Sequence, residues 1–203
     1  MSDKSRLRRP PFDREAGVAI AQSLFHQRGY DAVSIADLTQ ALDIKPPSFY
    51  AAYESKAKLF ERTLQRYSLE NRLPLDKILS PDKSVAESIE SLLVAAARQY
   101  GRHAQQRGCM VMEGMRADDS VARQIACDMA QPGNKMILAW LKSVCPEAAE
   151  SLADFIMITL RGLSSAAHLG MSQRRLIQVA RMSAGAAGIA LAEKAEQPEN
   201  IEQ

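Results

Sequence analysis

Apolar residues recur every three or four positions along most of this chain, and alternating apolar–polar runs are scarce. That periodicity predicts an all-α protein of about nine helices. Asp13 suits the N-cap of a first helix, along which Val18, Ala21, Leu24 and Phe25 form an i, i+3, i+4 stripe. Gly29 suits the left-handed position just past its end. Ser34, with Asp37 three residues later, resembles a capping box for a second helix whose buried face is Ile35, Leu38 and Leu42. Residues 43–45 then read as a tight turn. Pro46 and Pro47 fit only the first turn of a helix, where their missing N–H groups are not needed, so a short third helix ends near Tyr53. Ser55 caps a fourth, running to about Arg72.

Pro74 and Pro81 break the pattern and mark the main boundary. The chain divides into an arm (1–11), a small helical unit (12–72) and a larger one (73–203). Longer helices are predicted at 82–103, 117–130, 132–144, 147–169 and 172–194, with a break at Pro132. The polar end, 195–203, is expected to fray.

Composition narrows the class. Hydrophobic residues make up 46% and charged residues 25%, the proportions of ordinary globular chains, so wholesale disorder is not expected. Three Cys are too few, and odd in number, for a disulfide scaffold. No 18-residue uncharged apolar run suggests a membrane span. The basic start is not followed by the apolar stretch of a signal peptide, so the cytoplasm is the expected compartment. Net charge is only +2, but its placement is informative. Residues 1–72 hold 12 Lys/Arg against 9 Asp/Glu, and most of that excess sits in Lys4, Arg6, Arg8 and Arg9, opposed there only by Asp3. A basic arm ahead of a folded unit can reach a polyanion; a frayed solubilising tail is the plainer reading.

Three short helices with a tight turn before the third have the layout of a helix-turn-helix, although a generic three-helix packing unit shares that spacing. The third helix carries Lys45, Ser48, Tyr50, Ala51 and Tyr53, a cation, hydroxyls and aromatic edges where a purely structural helix would carry Leu. In a helix-turn-helix the start of this helix enters the DNA major groove.

Several motifs in fixed order carry a resemblance: Arg9-Pro10-Pro11-Phe12-Asp13, Leu24-Phe25 before Gly29-Tyr30, Ser34-Ile35 before Asp37-Leu38, and Ala41-Leu42-Asp43-Ile44. They continue through Ser48-Phe49-Tyr50-Ala51-Ala52-Tyr53 and Ser55-Lys56 before Leu59-Phe60. Over residues 9–67 the chain resembles the TetR family of bacterial transcriptional regulators. Weaker matches at Arg107-Gly108-Cys109-Met110-Val111 and Arg161-Gly162-Leu163-Ser164 extend it over the whole length. The resemblance implies a repressor that binds a palindromic double-stranded DNA operator as a homodimer and is released by a small effector. It implies phosphate contacts for Ser34, Lys45, Tyr50 and Lys56, and groove-facing positions for Pro47, Ser48 and Tyr53. Arg8 and Arg9 would reach the minor groove, Phe49 would anchor the third helix, and Ala36, Leu38 and Leu42 would be core. Arg-Arg-Pro in the arm and Pro at position 46 depart from the family pattern, which leaves the operator sequence open.

In the larger unit, Ala180, Ala184 and Gly188 recur every fourth residue beside Ala187 and Leu191. A helical Gly costs roughly 1 kcal/mol relative to Ala, so close approach of another backbone is expected at this stripe. With Leu152, Phe155, Ile156, Thr159 and Leu163 it would form a four-helix bundle between two chains, or pack within one. Tyr100, His103, Cys109, Met112, Met115, Met129, Met136, Trp140, Phe155 and His168 are candidate effector-pocket residues, although Met and aromatics at helical spacing also make plain core. Cys109, beside Arg107, could alternatively serve a thiol or Cu(I) sensor. No phosphate loop, HExxH or CxxC is present, so neither an enzyme, a resident metal nor a cofactor is expected.

Overall fold

The computed structural model describes residues 12–196, with side chains to residue 192. The arm with Arg8 and Arg9, and residues 197–203, lie outside the described residues. All regular structure among the described residues is helical. In order these are α1 (Arg14–Arg28), α2 (Ile35–Leu42), α3 (Pro46–Tyr53), α4 (Lys56–Glu70), α5 (Leu75–Ile78), α6 (Val85–Tyr100), α7 (Met110–Gly114), α8 (Ser120–Val144), α9 (Ala149–His168) and α10 (Gln173–Glu196). A single 3₁₀ turn, Pro146–Ala148, precedes α9.

Most of the long helices start on a side-chain cap. Asp13 accepts from the N–H groups of Glu15 and Ala16, and Ser55 from that of Lys58. Ser34–Asp37 and Ser84–Glu87 are reciprocal capping boxes. Each such cap satisfies N–H groups that the helix leaves without partners, and is worth about 1 kcal/mol. Gly29 closes α1 at φ 78°, its N–H donating to the Phe25 oxygen over 2.9 Å.

Two cores follow. The first lies among α1–α4, where Phe25, Leu38, Phe49, Leu59, Phe60 and Leu64 are fully buried. Phe25, Tyr30 and Phe60 meet ring to ring at its centre. The second lies among α6, α9 and α10 with the later turns of α8. The first core does not stop at residue 72. Met110, Val111, Ala117, Ala122 and Ala126 pack into it, so α7 and the start of α8 close the small unit from below.

Three local expectations change. α8 runs unbroken through Pro132 for 25 residues. Proline removes one hydrogen bond, to the Asp128 carbonyl, but Asp128 and Pro132 both face solvent, so water can serve the freed oxygen. α7 has five residues, too short for periodicity to register. Ala36 is exposed on α2 and does not belong to the core; Leu38 and Leu42 carry that face.

Candidate nucleic-acid interface

Asp43 ends α2 in the left-handed conformation, φ 51° and ψ 46°, with its N–H donating to main-chain oxygens of α2. Ile44 N–H also turns back to the Thr39 oxygen, 3.1 Å away. The chain thereby reverses in three residues and enters α3 at Lys45, whose carbonyl accepts from Ser48 and Phe49. Prolines at the first two positions of α3 remove two donors that would otherwise need partners.

α3 is clamped from beneath. Phe49 is fully buried, and Tyr53 is 2% exposed. The Tyr53 ring lies 5.6 Å from Phe49 and 6.1 Å from Phe12. Its hydroxyl donates to the Arg14 oxygen at 2.8 Å, and burial raises its pKa. Tyr53 is therefore an anchor and does not face a groove; its position one turn after Phe49 places it on the same inner side. Lys45, Pro47, Ser48 and Ala51 are exposed, and Tyr50 is 50% exposed, braced edge-on by the Phe49 ring at 5.4 Å.

Flanking groups complete this surface. The Ser34 main-chain N–H and hydroxyl both donate to the Asp37 carboxylate. These bonds, with Arg28 behind them, hold that carboxyl well below its usual range. Lys56 begins α4, its ammonium 4.0 Å from the Tyr30 ring centroid, where partial burial lowers its pKa against the pull of Asp31 and Asp119. Arg14 was not singled out from sequence. Its guanidinium reaches the Ala51 oxygen at 3.5 Å and so stands exposed beside α3. A cation directly after an N-cap Asp was the available signal.

The ten effector candidates divide between both cores and the surface. Tyr100 is buried in the second core with Met112, Trp140 and Phe155 against it, and its hydroxyl lies 3.8 Å from the Met112 sulfur. Met115 and Met129 pack on the first core, and Cys109 touches both. His103, Met136 and His168 are exposed. A cavity of about 210 Å³ lies instead where α1, α4 and the end of α6 meet, and His103 alone of the ten lines it.

The surroundings of Cys109 disfavour its thiolate. Burial pushes its pKa up, and the Arg107 guanidinium donates to the Met171 oxygen at 2.6 Å. No three His, Cys, Asp or Glu side chains converge as a metal site among the described residues.

The small-residue stripe of α10 also turns inward. Ala180, Ala184 and Ala187 are buried against the chain's own α6, and a methyl at Gly188 would meet Ala86 at 3.6 Å. Leu152, Ile156 and Leu163 fill the same core, while Phe155, Thr159 and Leu191 are half-buried. The stripe permits close approach of α6, so packing within the chain uses it. A different face is left apolar and exposed: Ile158 (67%), Val179, Met182 (75%) and Ile189 (63%).

Comparisons with known proteins agree with this geometry. The model of the tetR family of bacterial regulatory proteins matches residues 18–63, from α1 into α4. The HTH-type transcriptional repressor BdcR of Escherichia coli (strain K12) is 39% identical over 85% of this chain and 87% of its own length. The repressor ComR of the same organism is 28% identical over 87% and 90%. A cysteine mutant of the TetR family transcriptional regulator CifR, solved with 26-bp double-strand operator DNA, superposes with TM-score 0.72 at 26% identity, covering 88% of this chain and 99% of that one. With the helix-turn-helix in place and a relative at this identity along most of the chain, the protein belongs to the TetR family of bacterial regulatory proteins.

Proposed function

We propose that this TetR-family repressor binds a two-fold symmetric DNA operator as a homodimer and leaves it when a small effector binds. The observation that carries the reading is the two-sided character of α3. Phe49 and Tyr53 fix it below, while Lys45, Pro47, Ser48 and Tyr50 face outward. Lys45, Tyr50, Ser34 and Lys56 suit phosphate contacts, which set register and affinity; Ser48 and Pro47 are placed to meet base edges. Arg14 adds a cation beside them.

The exposed apolar face of α9 and α10 supplies the second chain's seat. Ile158, Val179, Met182 and Ile189 are costly to leave in water, and two copies meeting there would form a four-helix bundle. Two-fold pairing sets two α3 helices at a half-site spacing. In this reading the site binds DNA and does no chemistry on it, and the protein works in the cytoplasm where that DNA lies. The test is selection of genomic fragments by the purified protein at physiological salt. One enriched palindromic sequence is expected; enrichment without a shared sequence would overturn the reading.

A further inference from the structure

We infer that the cavity at the junction of α1, α4 and the connection after α6 binds a small zwitterion, a molecule with an ammonium donor and a carboxylate, and that this occupancy is the releasing signal. The inference rests on the repressor reading above.

The cavity holds about 210 Å³ and is partly open to solvent, room for a molecule the size of a free amino acid. Its lining is polar. Two acceptors come from the DNA-binding side. The Gln22 amide on α1 donates through Nε2 to the Glu70 carboxylate of α4 at 3.0 Å. That bond fixes the amide's orientation and leaves Gln22 Oε1 as a buried acceptor without a partner. Glu70 is further engaged by Arg66 at 2.7 Å, so its carboxylate is held in place. Two cationic or protonatable groups come from the other side: Arg102 and His103, on the connection after α6. A ligand that offers donors to Gln22 and Glu70 and a carboxylate to Arg102 and His103 spans the junction.

The present ties across it are few and partly long. Gln106 Nε2 donates to Ser23 Oγ at 3.2 Å, His26 Nε2 lies 3.4 Å from the Gly108 oxygen, and Gln99 Nε2 donates to the Asn71 oxygen at 2.7 Å. A bridging ligand shifts α1 against the connection. Because Tyr53 is bonded to α1 at Arg14, that shift moves α3. A ligand biases an equilibrium only through differential affinity for its states, and here the difference is the bridge itself.

The experiment uses the full chain, with melting temperature and operator affinity measured against each proteinogenic amino acid at millimolar concentration. Every positive is repeated with its N-acetyl and methyl-ester forms. The expected result is at least one free amino acid that raises the melting temperature and weakens operator binding about tenfold, within the usual range of allosteric coupling. Both blocked forms should fail. Arg102→Gln, at an exposed position, and Gln22→Leu should each lose the response while keeping operator affinity without ligand. A wild type that holds its operator but answers to no free amino acid overturns the inference. So does a response kept by both blocked forms, or by both variants. Melting reads the cavity independently of DNA: a ligand shift in a protein that binds no operator would support the zwitterion site and overturn the repressor reading.

Discussion

The hydroxyl of Tyr53 donates to the main-chain oxygen of Arg14 at 2.8 Å, which joins the last residue of α3 to the first of α1. Gly17 makes room for it: a methyl at that position would overlap the Tyr53 hydroxyl. α3, packed on α2 and α4, is thereby also tied to α1, by a hydrogen bond on its buried side.

Tyr53→Phe keeps the ring and removes the bond. Stability should fall by about 0.5–1.5 kcal/mol, the usual net value of such a bond. Operator affinity should fall without a change in preferred sequence. Denaturant melts and binding to a set of single-base operator variants would check this; an altered base preference would return Tyr53 to the groove.

Tyr50 and Ser48 should separate affinity from specificity. Tyr50→Ala removes an exposed side chain and should leave stability within about 0.5 kcal/mol. It should weaken binding to all DNA by a similar factor and leave the salt dependence unchanged, because a neutral hydroxyl on a phosphate releases no counterion. Ser48→Ala should relax discrimination at one operator position by roughly 1–3 kcal/mol. Salt titrations on specific and unrelated duplexes measure both.

The helices of α10 and α9 give opposed predictions. Ile158→Asp and Met182→Asp place charges on the exposed apolar face and should yield folded monomers by light scattering. Ala184→Leu overfills the α6–α10 contact and should cost about 1–3 kcal/mol of stability in each chain. A dimer that survives both Asp variants would move the interface elsewhere.

That contrast also marks what could be read in advance. Caps and turns were legible because each rests on one or two residues: Asp13, Ser34 and Gly29 act where they stand in the chain. Phe49 as anchor came instead from the family resemblance. Partners of a face were not legible. The Ala180–Ala184–Gly188 spacing announces close approach to another helix, but nothing local says whether that helix is α6 or a second chain's. Tyr53 has the chemistry of a groove residue and the register of a core residue, and burial decided. The cavity escaped because its walls, Gln22, Glu70 and Arg102, lie on three elements far apart in sequence.

His26 gives a pH prediction. Its ring is buried edge-on to Tyr67 at 5.2 Å, and burial lowers its pKa below the ordinary 6.5, with His168 and His103 adding to the effect and the main-chain oxygen of Gly108 opposing it. The folded state thus binds its proton more weakly than the unfolded chain does. Stability should be complete above about pH 6.5 and fall as pH drops through that value toward the lowered pKa. His26→Gln should flatten the slope of melting temperature between pH 7 and pH 5. An unchanged slope would assign the acid sensitivity to other groups.

The central claim is two-fold operator recognition by paired α3 helices. Footprinting of the wild-type protein on its selected genomic site tests it most directly. The account predicts a protected palindrome whose half-sites lie one helical turn apart, about 34–36 Å, or a small multiple of it. Tyr50→Ala and Met182→Asp should each lose that protection at wild-type concentrations. A footprint with no two-fold symmetry, or one unchanged in both variants, would contradict it.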